Sequence, residues 1–218
     1  MQQGGFSLKR KWLFVPLSAL LLLASCGQKA DAPEKTKDKN AKTEKVTKSR
    51  TYTKDEVDMA DQKVGDTVKA DGGTRKIVGQ VKDINETLTS GPLEVTLNHA
   101  QISDFTPSEE LIDVFGGDDL VLISFDITVK NTENALMSFY PDQATAVTDD
   151  GHQVTAETLF SDDVGGDFYG GVTKEGQVFF IYAGQAKDVN DVRYIIGAPH
   201  DEEFDTLGED IEFNVKFK

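Results

Sequence analysis

The chain has 218 residues, with 23 Lys plus Arg against 38 Asp plus Glu, a formal net charge of −15. A hydrophobic share of 38% can build a core, and one cysteine excludes an intramolecular disulfide framework or a Cys-rich zinc module. The acidic balance argues against nucleic acid, because no broad cationic surface is present to replace phosphate counterions.

Residues 1–25 read as a secretory signal. Lys9, Arg10 and Lys11 form a positive block, Trp12 to Leu23 is apolar apart from Ser18, and small residues precede Cys26. The apolar run falls short of the roughly 20 residues that cross a bilayer as a helix. Leu23-Ala24-Ser25-Cys26 followed by Gly27 resembles the bacterial lipobox. That resemblance implies cleavage before Cys26 and a diacylglyceryl group on its sulfur, placing the mature chain on the cell membrane at its extracellular face. A thiol suits the transfer, being the strongest soft nucleophile among side chains. Two acyl chains suffice for stable anchoring where one gives marginal binding.

Residues 26–54 hold almost nothing that could pack, so a disordered basic tether is expected there. Positions 27–54 carry nine basic and four acidic residues, which together with Lys9, Arg10 and Lys11 leaves 11 basic and 34 acidic for 55–218. A tether of this length spans roughly 30 Å and holds an acidic head off an anionic surface. A solvated spacer is the plain reading of the basic run, ahead of specific binding to anionic lipid or wall polymer.

Residues 55–218 read as strands. Leu93, Val95 and Leu97 alternate with polar residues, and His99 continues their parity as a strand-end histidine. In 120–130, Val121, Ile123, Phe125, Ile127 and Val129 share one face. Segments 143–148 and 152–155 flank the hairpin turn Asp150-Gly151. The run 177–183 is apolar on both faces, which suits a central strand, and 192–196 and 211–217 alternate again. One short helix is expected at about 107–115, from the capping box Thr106-Pro107-Ser108-Glu109 to the stop at Gly116-Gly117. The class is all-β with one short helix, and the closely spaced turn signals fit a sandwich.

Val64-Gly65-Asp66-Thr67-Val68, the strand end Val129-Lys130-Asn131-Thr132, Asp149-Asp150-Gly151 and Lys174-Glu175-Gly176-Gln177-Val178 resemble a domain found in surface lipoproteins of Gram-positive bacteria. The resemblance covers about 62–218. It implies an immunoglobulin-like (telokin-like) β-sandwich, with no catalytic residue to carry over.

The chemistry-bearing residues are sparse. His99, His152 and His200 lack a Gly-x-Ser-x-Gly elbow or a His-Glu-x-x-His pattern around them, and the abundance of carboxylates makes carboxylate pairs uninformative. No enzyme is expected. The segment 160–171 gathers Phe160, Phe168 and Tyr169 with Asp162, Asp163, Asp167 and four glycines. Exposed loop aromatics point to a contact with a surface protein or wall component. Closely spaced Asp oxygens suit Ca²⁺, in a spacing unlike an EF-hand. The sequence therefore supports a binding module at the cell surface. Its alternatives are a Ca²⁺-dependent or wall-processing activity through 161–167, or a structural spacer without a ligand.

Overall fold

The computed structural model describes residues 50–53 and 57–217. Cys26, the signal segment and most of the tether lie outside them. Among the described residues, thirteen strands and one helix run in chain order. The first five strands are β1 (Thr51–Thr53), β2 (Thr67–Ala70), β3 (Gly73–Val81), β4 (Glu86–Ser90) and β5 (Leu93–Pro107), followed by α1 (Ile112–Phe115). Next come β6 (Leu120–Asn131), β7 (Met137–Phe139), β8 (Thr145–Thr148), β9 (Gln153–Thr155) and β10 (Gly166–Phe168). The last are β11 (Thr173–Ala183), β12 (Asp191–Ile196) and β13 (Ile211–Lys216).

The large sheet has the order β1-β2-β3-β5-β6-β11, with β4 also on β5, and the small sheet has the order β13-β12-β8-β9. A two-stranded ladder, β10-β7, is extended by bridges from His200 to Ser138 and Thr206. The sheets form a β-sandwich because the odd-numbered residues of β6 and their cross-strand partners face the small sheet. Val95, Ile123, Phe125, Val178 and Phe180 share one buried cluster with Ala146, Val192, Tyr194 and Phe213. Phe125 stacks on Tyr194 with centroids 4.5 Å apart, and the Tyr194 hydroxyl donates to the Pro141 carbonyl at 3.2 Å. Fully burying one such ring contributes about 1.5–3 kcal/mol.

Asn131 ends β6 as a polar staple. Its Nδ2 donates to the carbonyls of Ala135 (2.8 Å) and Phe168 (3.1 Å), and its Oδ1 accepts the Glu133 N–H (3.0 Å). The Asp150-Gly151 hairpin forms between β8 and β9, with Gly151 at φ 97°.

Four expectations are corrected. The run 177–183 lies in β11, which ends the large sheet and is not central. It is apolar on both faces because the small sheet covers one and an aromatic cluster with Phe115 and Phe179 covers the other. The helix begins at Ile112, since Thr106 and Pro107 remain paired with β3 and the N-terminus has no side-chain cap. His99 lies within β5, and a bulge between Leu97 and His99 turns it to the outer face, opposite Asp126. Within the expected disordered tether 26–54, the described residues form structure: Thr51–Thr53 pair parallel with β2, and Arg50 binds the buried carboxylate of Asp66 at 2.6 Å.

Candidate binding cleft on the outer face of the large sheet

The outer face carries the even-numbered residues of β6 and their partners. Leu120, Leu122 and Ser124 are buried there, where alternation alone would place solvated side chains. Two elements cover this face. One is the strap 57–62, whose 3-10 turn Met59–Asp61 buries Met59 at 3% exposure. The strap is bound by side chains of the sheet: Gln80 Nε2 donates to the Gln62 carbonyl (3.1 Å) and Gln101 Nε2 to the Met59 carbonyl (3.2 Å). Arg75 bridges strap and sheet, donating to Gln62 Oε1 (3.2 Å) and Ser124 Oγ (3.0 Å). The other cover is aromatic, with Phe115 packed between Phe105 and Phe160 at centroid distances of 6.2 and 5.3 Å.

Between the two covers lies a cleft of about 630 Å³, in the size range of small-ligand sites. Its floor includes Leu122, Phe179 and Ile181, its walls Phe105 and Phe160, and its polar margin Gln62, Arg75, Asp162 and Gln177. Gly72 also lines it, and a Cβ there would stand 3.3 Å from the Phe160 ring. The arrangement can hold an apolar group on aliphatic and aromatic carbon while amide and carboxylate groups fix its polar end. The described lining residues include no histidine, serine or cysteine.

Beside the cleft, the carboxyl of Asp126 is pushed above its ordinary range. Burial is the main cause and the charges of Glu175 and Asp162 add to it, against the lowering effects of His99 and Asn98. At the far hairpin Asp150 is held below its ordinary range. There burial, which raises it, is outweighed by hydrogen bonds from Thr148 and from the His152 ring (3.1 Å).

The structure separates the residues that the sequence grouped in 160–171. Phe160 lines the cleft. Phe168 is corrected: it is fully buried, edge-on to Phe139 at 6.4 Å with the Lys174 ammonium 4.8 Å from its ring centroid, because its position in β10 faces the core. Tyr169, at 62% exposure, is the one of the three aromatics that projects into solvent.

The three carboxylates do not converge, and among the described residues no group of three or more His, Cys, Asp or Glu is placed to hold a metal ion. Asp162 Oδ2 accepts the Gln177 N–H at 2.8 Å, the Asp163 side chain is 97% exposed, and Asp167 Oδ1 accepts the Ser138 hydroxyl at 2.9 Å. The loop instead covers the edge of β11. The Phe179 N–H donates to Ser161 Oγ (3.0 Å), while the Glu157 and Asp162 N–H groups donate to the carbonyls of Phe179 and Gln177 (2.8 and 2.9 Å). An edge paired in this way cannot template strand addition. Gly176 permits the close approach, since a Cβ there would fall 2.6 Å from Asp162 Cβ.

The histidines are dispersed as well. His99 Nδ1 accepts the Asp83 N–H at 3.1 Å, His152 lies against the Tyr182 ring at 4.5 Å, and His200 bridges Ser138 and Thr206. Among the described residues no helix is long and apolar enough to cross a membrane.

No protein-family model matches the chain. The SPbeta prophage-derived uncharacterized lipoprotein YonS of Bacillus subtilis (strain 168) is 24% identical over 160 residues, covering 72% of this chain and 73% of that protein. The likeness is to a lipoprotein. A functionally unknown protein from Listeria monocytogenes EGD-e shares the fold, with a TM-score of 0.52 and 16% identity over 67% of this chain and 89% of that one. The resemblance to Gram-positive lipoproteins with an uncharacterised β-sandwich holds.

Sequence reasoning missed the cleft, because its lining comes from separate segments between Thr53 and Ile181. The signal that could have found it is the outer parity of β6 and β11, where Leu122, Phe179 and Ile181 stand in place of charge.

Proposed function

We propose that the chain is a lipid-anchored binding module at the extracellular face of the bacterial cell membrane, held by a diacylglyceryl group on Cys26. The outer-face cleft is its ligand site, and it binds without catalysing a reaction. The observation that carries the reading is the apolar floor of Leu122, Phe179 and Ile181, bordered by the polar groups of Gln62, Asp162 and Gln177. The lipobox at 23–26 and the likeness to a lipoprotein support the anchor. The fitting ligand carries apolar groups beside amides or cations, as a segment of a surface protein or a peptide of the cell wall does.

The test is a thermal melt of the full chain in detergent with soluble muropeptides and a set of apolar, lysine-containing peptides. A ligand present at 100 times its dissociation constant adds about 2.7 kcal/mol, a shift of about 5–10 °C for a fold of this size. That shift should vanish in Phe160→Ala and Ile181→Gln. If no member of the panel moves the melt, the cleft is not a site for this class. The anchor is checked apart from it: Cys26→Ser should abolish fatty-acid labelling and release the chain from the membrane fraction.

A further inference from the structure

The open side of β13 carries an inference independent of the cleft. This strand ends the small sheet and pairs with β12 alone. The Phe217 N–H donates to the Asn190 carbonyl at 2.8 Å, which continues the ladder by one residue and fixes which main-chain groups point where. Opposed residues in an antiparallel ladder alternate between bonded and non-bonded pairs. Odd-numbered residues of β13 therefore bond to β12, and Glu212, Asn214 and Lys216 turn their N–H and C=O groups to the open side. Among the described residues no hydrogen bond reaches those groups.

All three side chains are exposed. Such edges are commonly blunted by charges that repel a second copy. Here the charges have opposite sign and stand two residues either side of Asn214. An antiparallel second copy with its twofold axis at Asn214 sets each Glu212 opposite a Lys216 and each Asn214 amide opposite its own counterpart. Moving the axis to Glu212 or to Lys216 would set like charges face to face. Arg193, 3.3 Å from Glu212, and Asp191, 4.0 Å from Lys216, extend each pair into a row of alternating sign on the same face.

We propose that β13 is the pairing edge of a symmetric homodimer, in which two copies join antiparallel about Asn214 and extend the small sheet from four strands to eight. The contact is isologous and closes at two subunits. It pairs the three N–H and three C=O groups that each copy presents.

Sedimentation equilibrium of the full chain in density-matched detergent tests it. The parent should show a monomer–dimer equilibrium. Glu212→Lys and Lys216→Glu should each weaken dimerisation at least tenfold, because each places like charges across the axis. Mixed in equal amounts they should dimerise again, since the lysine introduced in one copy then faces the glutamate introduced in the other. Asn214→Pro should also be monomeric. The N–H it removes points away from β12, so its melt should stay near that of the parent. A parent monomeric at every concentration overturns the proposal. So does a Glu212→Lys variant that dimerises as the parent does, or a mixture of two folded variants that stays monomeric.

Discussion

The two faces of the large sheet are built from the same strands and do different work. The face toward the small sheet is dry carbon: Leu93, Val95, Ile123, Phe125, Ile127 and Phe180 have no exposed surface. The outer face buries Gln101, Ser103 and Ser124 as well as Leu122, and it leaves Gln101 Oε1 and Ser103 Oγ without a hydrogen-bond partner among the described residues. A buried polar atom contributes to stability only where it finds a partner, so these groups add less per buried atom than the carbon of the inner face. The inner face sets the fold by filling space. The outer face spends stability on polar groups and a partial cover, and it is there that an open cleft remains.

Three consecutive residues of β6 can break or sharpen this contrast. Phe125→Ala should have the largest effect, about 3–5 kcal/mol lost in urea unfolding, because it empties the stack on Tyr194. A loss below about 1 kcal/mol would mean that the inner face does not set the fold. Ser124→Ala, on the outer face, should cost about 1 kcal/mol, since it removes the hydrogen bond that Arg75 Nη1 donates to Ser124 Oγ. The same variant should speed amide exchange in the strap 57–62, and unchanged exchange would mean that Arg75 does not fasten it.

Asp126→Asn should have the smallest effect, and of opposite sign. The Asp126 carboxyl titrates above its unfolded value, so the charged form is disfavoured by folding at any pH above the folded pKa. Replacing it with a neutral isostere should raise Tm at pH 7. The gap to the parent should close as pH falls through the folded pKa toward the unfolded value of about 3.9, below which both states are protonated. A gap that widens in acid would reverse the assignment.

The inner face was legible because alternation reports burial directly: Val121 to Val129 and Ile211 to Val215 lie where their period places them. The Asn that closes β6 was legible as a motif, and the structure supplies its reason in the carbonyls it gathers. Periodicity failed where the backbone changes phase. Nothing in Leu97-Asn98-His99 announces a bulge, so His99 kept the parity of its predecessors on paper and lost it in the ladder. The capping box failed for a different reason. Its first two residues had already been claimed by pairing with β3, and a long-range ladder outweighs a local helix signal. The loop 160–171 was conspicuous for its composition, yet Phe168 packs inward and the Ser161–Asp162 segment covers a strand edge. Of the candidate site, only Phe160 and Asp162 were singled out beforehand as site residues, because a cleft between distant segments has no signature within any one of them.

The entry of the chain into the sheet has a mechanical consequence. β1 runs parallel to β2, and the residue before it, Arg50, grips Asp66 through its main-chain N–H (3.2 Å) and its guanidinium (2.6 Å). Asp66 also accepts the Lys63 N–H at 3.0 Å. Tension pulling Arg50 back along the strand axis would load the three-residue ladder and this clamp together, in shear, so that they yield as a unit and not one bond at a time. Any drag on the head transmitted through the preceding segment meets that junction first, and because Thr53 lines the cleft as well as ending β1, the same strand carries the load to the rim of the cleft.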